Sequence, residues 1–242
     1  MLVLLPMLLG QDRSLSSAQS DARIWVGRYQ EIEEYLRTAE CVSMTTFGAN
    51  RAARCNLPSG GPVARMSWKP FPPRVYRGFR ESYKAEIAAY EMDKLLKLDM
   101  VPPTVERRLE GNSGAAQVWV ENIVSLKEGA APEEAVREKW ETQLVRMTMF
   151  DDLIGYRDRN LGNTLHDASW QLILIDHSRA FPANADLSRK VTKVDRGLWD
   201  AISRLTRAQL DTVLKRWLDE PEIAAIVERR ENMAAEIKPL LK

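Results

Sequence analysis

The chain has 242 residues, 45% of them hydrophobic, enough to bury one large core or two small lobes around a cleft. A formal net charge of +1, with charges of both signs interspersed, excludes a global field that would draw the protein to nucleic acid or to an acidic membrane. Two cysteines without a C-x-x-C pair and only two histidines argue against Cys/His zinc chemistry and leave an oxygen-ligated metal open.

Residues 1–9 are nearly all apolar but too few to span a bilayer. They resemble the apolar part of a secretory signal, and Ser16-Ser17-Ala18 offers a small-x-small cleavage site. The basic start of such a signal is missing, so a short hydrophobic tail with no targeting role is the alternative. The reading leans to an exported or periplasmic protein over a cytoplasmic one, and it sets residues 1–22 apart as signal-like or disordered. No other segment is long and apolar enough to be transmembrane. Cys41 and Cys55 could bridge in an oxidising compartment, but nothing in the sequence places them within bonding distance, so two free thiols are the expectation and a bridge the alternative.

The globular part opens with a short helix over 30–38. Residues 41–67 read as extended segments, with Pro58-Ser59-Gly60-Gly61-Pro62 as the strongest turn. Over 63–69, Ala64, Met66 and Trp68 share one face and Arg65, Ser67 and Lys69 the other, which predicts a half-buried strand with a lysine on its non-core side. Ala85, Ala88, Ala89, Met92, Leu95 and Leu96 recur at helical spacing, predicting a helix over 81–98. Val101-Pro102-Pro103 breaks it, and strands follow over 104–109 and 116–123. A helix is expected over 133–156, and the chain beyond 186 reads as almost wholly helical. There Thr206 with Gln209 forms a capping box, and Pro221 suits the first turn of a last helix. The expected fold is α+β with two lobes: a small β-rich lobe over 23–124, and a larger, mainly helical lobe over 125–242 that carries a loop and hairpin at 157–181.

The densest chemical signal is Asp151-Asp152-Leu153-Ile154-Gly155-Tyr156-Arg157-Asp158-Arg159-Asn160-Leu161-Gly162-Asn163, followed by Leu172-Ile173-Leu174-Ile175-Asp176-His177. Short strands over 164–166 and 170–175 double the chain back and return Asp176 beside the loop that holds Asp158 and Asn163. Phosphoryl transfer needs a carboxylate to position a hydroxyl and accept its proton. It also needs oxygen ligands that hold a divalent cation against phosphate oxygens. A solvated polar turn is the bland alternative for such a loop. Asp151 and Asp152 are expected at a helix end rather than at a metal. His177 is open between packing and shaping the site, and Arg179 between pairing with Asp158, with a phosphate, or with neither. The seven tryptophans read as core and lobe-interface residues.

Asp158, Asn163 five positions on, and Asp176 after a hairpin together resemble the catalytic-loop and metal-binding signature of the protein-kinase-like superfamily. The wording of the segment looks most like the atypical branches: phosphoinositide 3/4-kinase-like proteins, HipA-type bacterial kinases and the secretory-pathway kinases of the Golgi. The resemblance implies ATP and magnesium, with manganese as an alternative, and transfer of the γ-phosphoryl group to an acceptor that could be a protein, a lipid headgroup, a sugar or a small molecule. It implies that Asp158 acts as base and that Asn163 and Asp176 hold the metal. Lys69 would contact the α- and β-phosphates with Glu86 as its partner. Gly48, in Phe47-Gly48-Ala49-Asn50, would cover the phosphates, and Glu121 would lie at the segment that holds adenine. A single glycine in that loop and Tyr at position 156 depart from the family pattern. Two alternatives stand beside the kinase reading: a pseudokinase or nucleotide-binding module, and a metal-dependent hydrolase using the same carboxylates. Lys69 could also be an exposed strand-end lysine, and Glu86 could serve only helix-surface ion pairs.

Overall fold

A computed structural model describes residues 22–47, 52–76, 78–129 and 131–241. The apolar leader, its cleavage site and Gly48 lie outside those residues.

The first lobe starts with helix α1 (Tyr29–Thr38), whose Ile32 and Leu36 are fully buried beside Trp25. Five antiparallel strands follow: β1 (Ser43–Phe47), β2 (Ala52–Asn56), β3 (Arg65–Lys69), β6 (Thr104–Leu109) and β7 (Asn112–Val118), in the spatial order β1-β2-β3-β7-β6. The side-chain alternation expected for β3 holds. Met66 and Trp68 enter the core shared with α1, while Ser67 and Lys69 line the cleft on the other side. Between β3 and β6 the chain forms a small hairpin, β4 (Arg74–Tyr76) with β5 (Phe79–Glu81), and helix α2 (Tyr83–Leu96). Ser82 caps α2 by accepting from the Lys84 amide at 3.0 Å, and Lys97 ends it in the left-handed conformation. Glu33 of α1 accepts from the Tyr90 hydroxyl and the Lys94 ammonium of α2, each at 2.8 Å, so the two helices are tied across the lobe.

Three expectations are corrected here. Cys41 and Cys55 are not free thiols but a disulfide, with Cα atoms 5.6 Å apart. Pairing of β1 with β2 places Met44 opposite Cys55, and the Val42 amide bonds to the Asn56 carbonyl at 2.9 Å, which brings Cys41 alongside. Strand β7 begins at Asn112 rather than 116, because Glu110 and Gly111 both take positive φ and close a two-residue turn. It ends at Val118, so residues 119–123 leave the sheet as a connector between the lobes.

The second lobe contains a three-stranded antiparallel sheet in the order β10-β9-β8, from β8 (Val124–Ser125), β9 (Thr164–His166) and β10 (Leu172–Leu174). Helix α3 (Glu134–Leu153) packs with α4 (Arg196–Ser203), α5 (Arg207–Leu214) and α6 (Glu220–Ile237) around the larger core. The Thr206–Gln209 capping box forms, and Pro221 lies in the first turn of α6. The expectation of nearly continuous helix beyond 186 fails for the stretch before Arg196. There Asp152 accepts from the amides of Ser188 and Arg189, and Glu236 from that of Val191, so donors a helix would need are already bound by side chains. No helix among the described residues is long and apolar enough to cross a membrane.

Candidate active site

Lys69 ends β3, and its ammonium reaches into the gap between the lobes. It meets the Glu86 carboxylate at 2.5 Å and the Asp176 carboxylate at 3.0 Å. Glu86 sits one turn into α2 and is fully buried; its second oxygen accepts from the His177 amide at 2.9 Å. The Ser82 amide, at the start of the same helix, bonds to the Ser178 carbonyl at 2.8 Å. Helix α2 is thereby fastened to the residues just after Asp176 at two points. Burial opposes the charged ammonium of Lys69, but Glu86 and Asp176 outweigh it and hold its pKa above the ordinary value. The Lys69 ammonium in turn holds the Asp176 carboxyl below its usual range. Burial pushes the Glu86 carboxyl up against the pull of Lys69. Lys69 is therefore no exposed strand-end residue, and Glu86 serves no surface pair.

The loop after α3 is held by two residues whose roles the sequence did not announce. The Tyr156 hydroxyl donates to the Asp176 carbonyl at 2.6 Å and accepts from Asn163 Nδ2 at 3.0 Å. Asn163 Nδ2 also donates to the Asp158 carbonyl at 3.3 Å, and Asn163 Oδ1 accepts from the Asn160 amide at 3.0 Å. The Tyr156 departure from the family pattern was visible in the sequence; its position between Asn163 and Asp176 was not. Arg159 is almost wholly buried. It pairs with both oxygens of Asp151, at 3.0 and 2.8 Å, and donates to the carbonyls of Asn163 and Ile175. It also contacts His177 Nε2 at 2.8 Å. Burial, then Arg159 and Lys69, keep His177 neutral, its pKa well below the ordinary imidazole value. His177 thus packs and bonds within the site's support. The only hint of Arg159's task in the sequence is a pair of aspartates eight and seven residues upstream.

Asp158 is half exposed, and one of its oxygens accepts from Arg179 at 2.9 Å. Arg179 lies 3.5 Å from Glu81 and over the ring of Phe79, so the Asp158 pairing also touches the β4–β5 hairpin. Asp151 and Asp152 lie in the last turn of α3 and do not line the cleft between the lobes.

Asp158, Asn163, Asp176 and Lys69 line one cleft of about 720 Å3 between the lobes. It is also walled by Ala52, Ser67, Gln117, Leu165 and residues 118–123. Glu121 lines it too, but its carboxylate is taken by Arg65, at 2.7 Å through Oε1 and in close contact through Oε2. The cleft is large enough for a nucleotide, cationic at Lys69 and apolar between Ala52 and Leu165. Asn163 and Asp176 supply an amide oxygen and a carboxylate, donors suited to magnesium or manganese. The Asn163 nitrogen faces the Asp158 carbonyl, which can only accept, so the Asn163 oxygen is the end that accepts from the Asn160 amide and that a cation would share. Were these two side chains to hold a cation, most of its coordination would fall to phosphate oxygens and water. No group of three Asp, Glu, His or Cys side chains among the described residues could hold a metal alone.

No family model matches the sequence, and no curated protein matches it. Solved structures do match in fold. The Golgi casein kinase with Mn/ADP bound superposes with a TM-score of 0.59 at 15% identity, covering 86% of this chain and 75% of that one. The structure of hydra Fam20 with sugar gives 0.60 at 15% identity, over 87% of this chain and 88% of that one. The Helicobacter pylori proinflammatory kinase CtkA gives 0.55 at 12% identity, over 83% and 93%.

Proposed function

We propose that this chain, whose two-lobed fold is that of the atypical protein-kinase-like superfamily, is a phosphotransferase that uses ATP and a divalent cation. The observation that carries the reading is the Lys69–Glu86–Asp176 cluster, closed on one cleft with Asn163 and Asp158. Lys69 binds and orients the α- and β-phosphates, and Glu86 keeps its ammonium charged and aimed. Asn163 and Asp176 would hold magnesium or manganese, which when bound neutralises charge on the phosphate oxygens.

Asp158 has one oxygen held by Arg179, and the other, which accepts from none of the described residues, would take the proton of an acceptor hydroxyl. The acceptor oxygen bonds to the γ-phosphorus as the bond from that phosphorus to the β–γ bridging oxygen breaks. ADP leaves, and the acceptor's proton goes to Asp158. The disulfide between Cys41 and Cys55 supports maturation in an oxidising compartment, in line with an exported protein.

Thermal unfolding with Mg-ADP or Mn-ADP tests the site. Wild type is expected to be stabilised and Asp176→Ala not; absence of stabilisation in both removes the proposal. A second reading, nucleotide binding without transfer, draws on the Arg179 contact that occupies the proposed base. It predicts the same stabilisation but no labelled product from γ-labelled ATP.

A further inference from the structure

We infer that Gln117 selects the base of the nucleotide: its side-chain oxygen faces the cleft as a fixed acceptor and favours a 6-amino purine over a 6-oxo purine. The inference rests on the proposed nucleotide site and concerns the part of the cleft wall where Gln117 pairs with Ser67.

The amide orientation follows from hydrogen-bond bookkeeping. Thr104 is fully buried, and its hydroxyl donates its one proton to the Pro102 carbonyl at 2.8 Å. Toward Gln117, directly opposite in the β6–β7 register, Thr104 Oγ1 can therefore only accept. Gln117 must turn its amide nitrogen to Thr104, at 2.8 Å, and its Oε1 away. Among the described residues no donor reaches that oxygen. The buried side-chain atoms left without a partner belong to Trp25, Asp152, His166, His177 and Arg229, not to Gln117. An atom that is neither bonded nor sealed, on a residue that lines the cleft, opens into the cleft.

The base reaches that point for geometric reasons. Gln117 pairs with Ser67, and Ser67 precedes Lys69 by two residues on the same strand face, about 7 Å along the strand. With phosphates on Lys69, the ribose and base extend toward Ser67 and Gln117, between the apolar side chains of Ala52 and Leu165. A purine is joined to its ribose at N9, and the edge farthest from N9 carries the 6-substituent. That edge meets the deep wall at Gln117. An amino group there donates to Oε1. An oxo group sets oxygen against oxygen, and the N1–H beside it reaches Oε1 only if the base shifts along the wall.

The test uses the full chain with manganese and three nucleotides that differ at purine position 6: ADP, IDP and purine riboside diphosphate, which has hydrogen there. Affinities are read by calorimetric titration. Wild type is expected to bind ADP more tightly than IDP, with the unsubstituted nucleotide between them. Gln117→Leu, of similar size, is expected to lower ADP affinity roughly 3- to 10-fold and narrow the ADP/IDP ratio by as much. It should leave the unsubstituted nucleotide within about 2-fold. Thr104→Val keeps Gln117 but frees its amide to turn, so IDP affinity should rise; this variant carries the test if Gln117→Leu does not fold. An ADP/IDP ratio equal to wild type in the folded variants overturns the inference while leaving the nucleotide site standing. Failure of wild type to bind any of the three overturns both.

Discussion

Arg159 and Asp151 form a two-point ion pair at 3.0 and 2.8 Å inside the second lobe, and both side chains are almost completely shielded from water. Because the same guanidinium bonds to the carbonyls of Asn163 and Ile175, the pair fixes the loop that carries one proposed metal ligand to the strand end that delivers the other.

Removing the arginine leaves a buried carboxylate with only the half-exposed Arg189, at 4.0 Å, to offset its charge. Arg159→Leu is expected to lower unfolding free energy by about 3–5 kcal/mol in urea titration near neutral pH. Burial already pushes the Asp151 carboxyl up, with Arg159 pulling it back, so the variant's carboxyl protonates at higher pH than in wild type. Its deficit should therefore shrink toward pH 5. A deficit that does not change with pH would show that lost packing, not the stranded charge, is responsible.

The Tyr156 hydroxyl joins Asn163 to the Asp176 main chain, so its loss should be felt where a metal matters. Tyr156→Phe is expected to weaken manganese-dependent ADP binding about 10-fold, the worth of roughly one hydrogen bond at the top of the usual range. ADP binding with the metal chelated should change much less. Equal weakening in both conditions contradicts a positioning role.

Asp93 gives a pH signature. It is buried at the end of α2, accepting from the amides of Met100 and Val101 at 3.1 Å, and burial pushes its carboxyl up to about 8. The unfolded chain ionises this group near its ordinary value of 3.8, so the folded state is favoured in full below that pH. That advantage falls as pH rises from about 4 to about 8 and is constant above. Asp93→Asn keeps an acceptor for both amides and cannot titrate. Relative to wild type it should gain at least about 1 kcal/mol of stability between pH 5 and pH 8. Parallel pH profiles for the two proteins would place the carboxyl at an ordinary value.

The Cys41–Cys55 bridge closes a loop across β1 and β2, with the cysteines 14 positions apart. Chain-entropy considerations put its contribution at up to about 3 kcal/mol. Reduction should lower the unfolding temperature of wild type and leave Cys41→Ser/Cys55→Ala unchanged. Nucleotide binding by the reduced protein should persist below that temperature, because neither cysteine lines the cleft. Equal unfolding temperatures for oxidised and reduced wild type would show that the bridge does not stabilise the fold.

Residues whose message is local were legible. The alternation around Met66 and Trp68 placed Lys69 on the cleft side of β3, the helical spacing around Ala85 and Ala89 carried Glu86, and the polar loop between α3 and β9 carried Asp158 and Asn163. Such patterns repeat at 2 or 3.6 residues, so a single segment displays them. The hairpin after Asn163 was legible for the same reason: its strands and turn lie within a few residues, and their pairing returns Asp176 to the loop.

What the sequence by itself determined, then, is the order of the elements and the types of side chain that each turns toward the gap. Only tertiary structure decided which further distant groups meet: Cys41 with Cys55, Arg65 with Glu121, Lys69 with Asp176 as well as Glu86, and Thr104 with Gln117 across a hairpin. It also left the stretch before Arg196 unwound, because Asp152 and Glu236 capture its amides. A hydrogen bond or ion pair depends on a separation of about 3 Å between atoms whose positions are set by the packing of whole elements, and no local period in a chain encodes that distance.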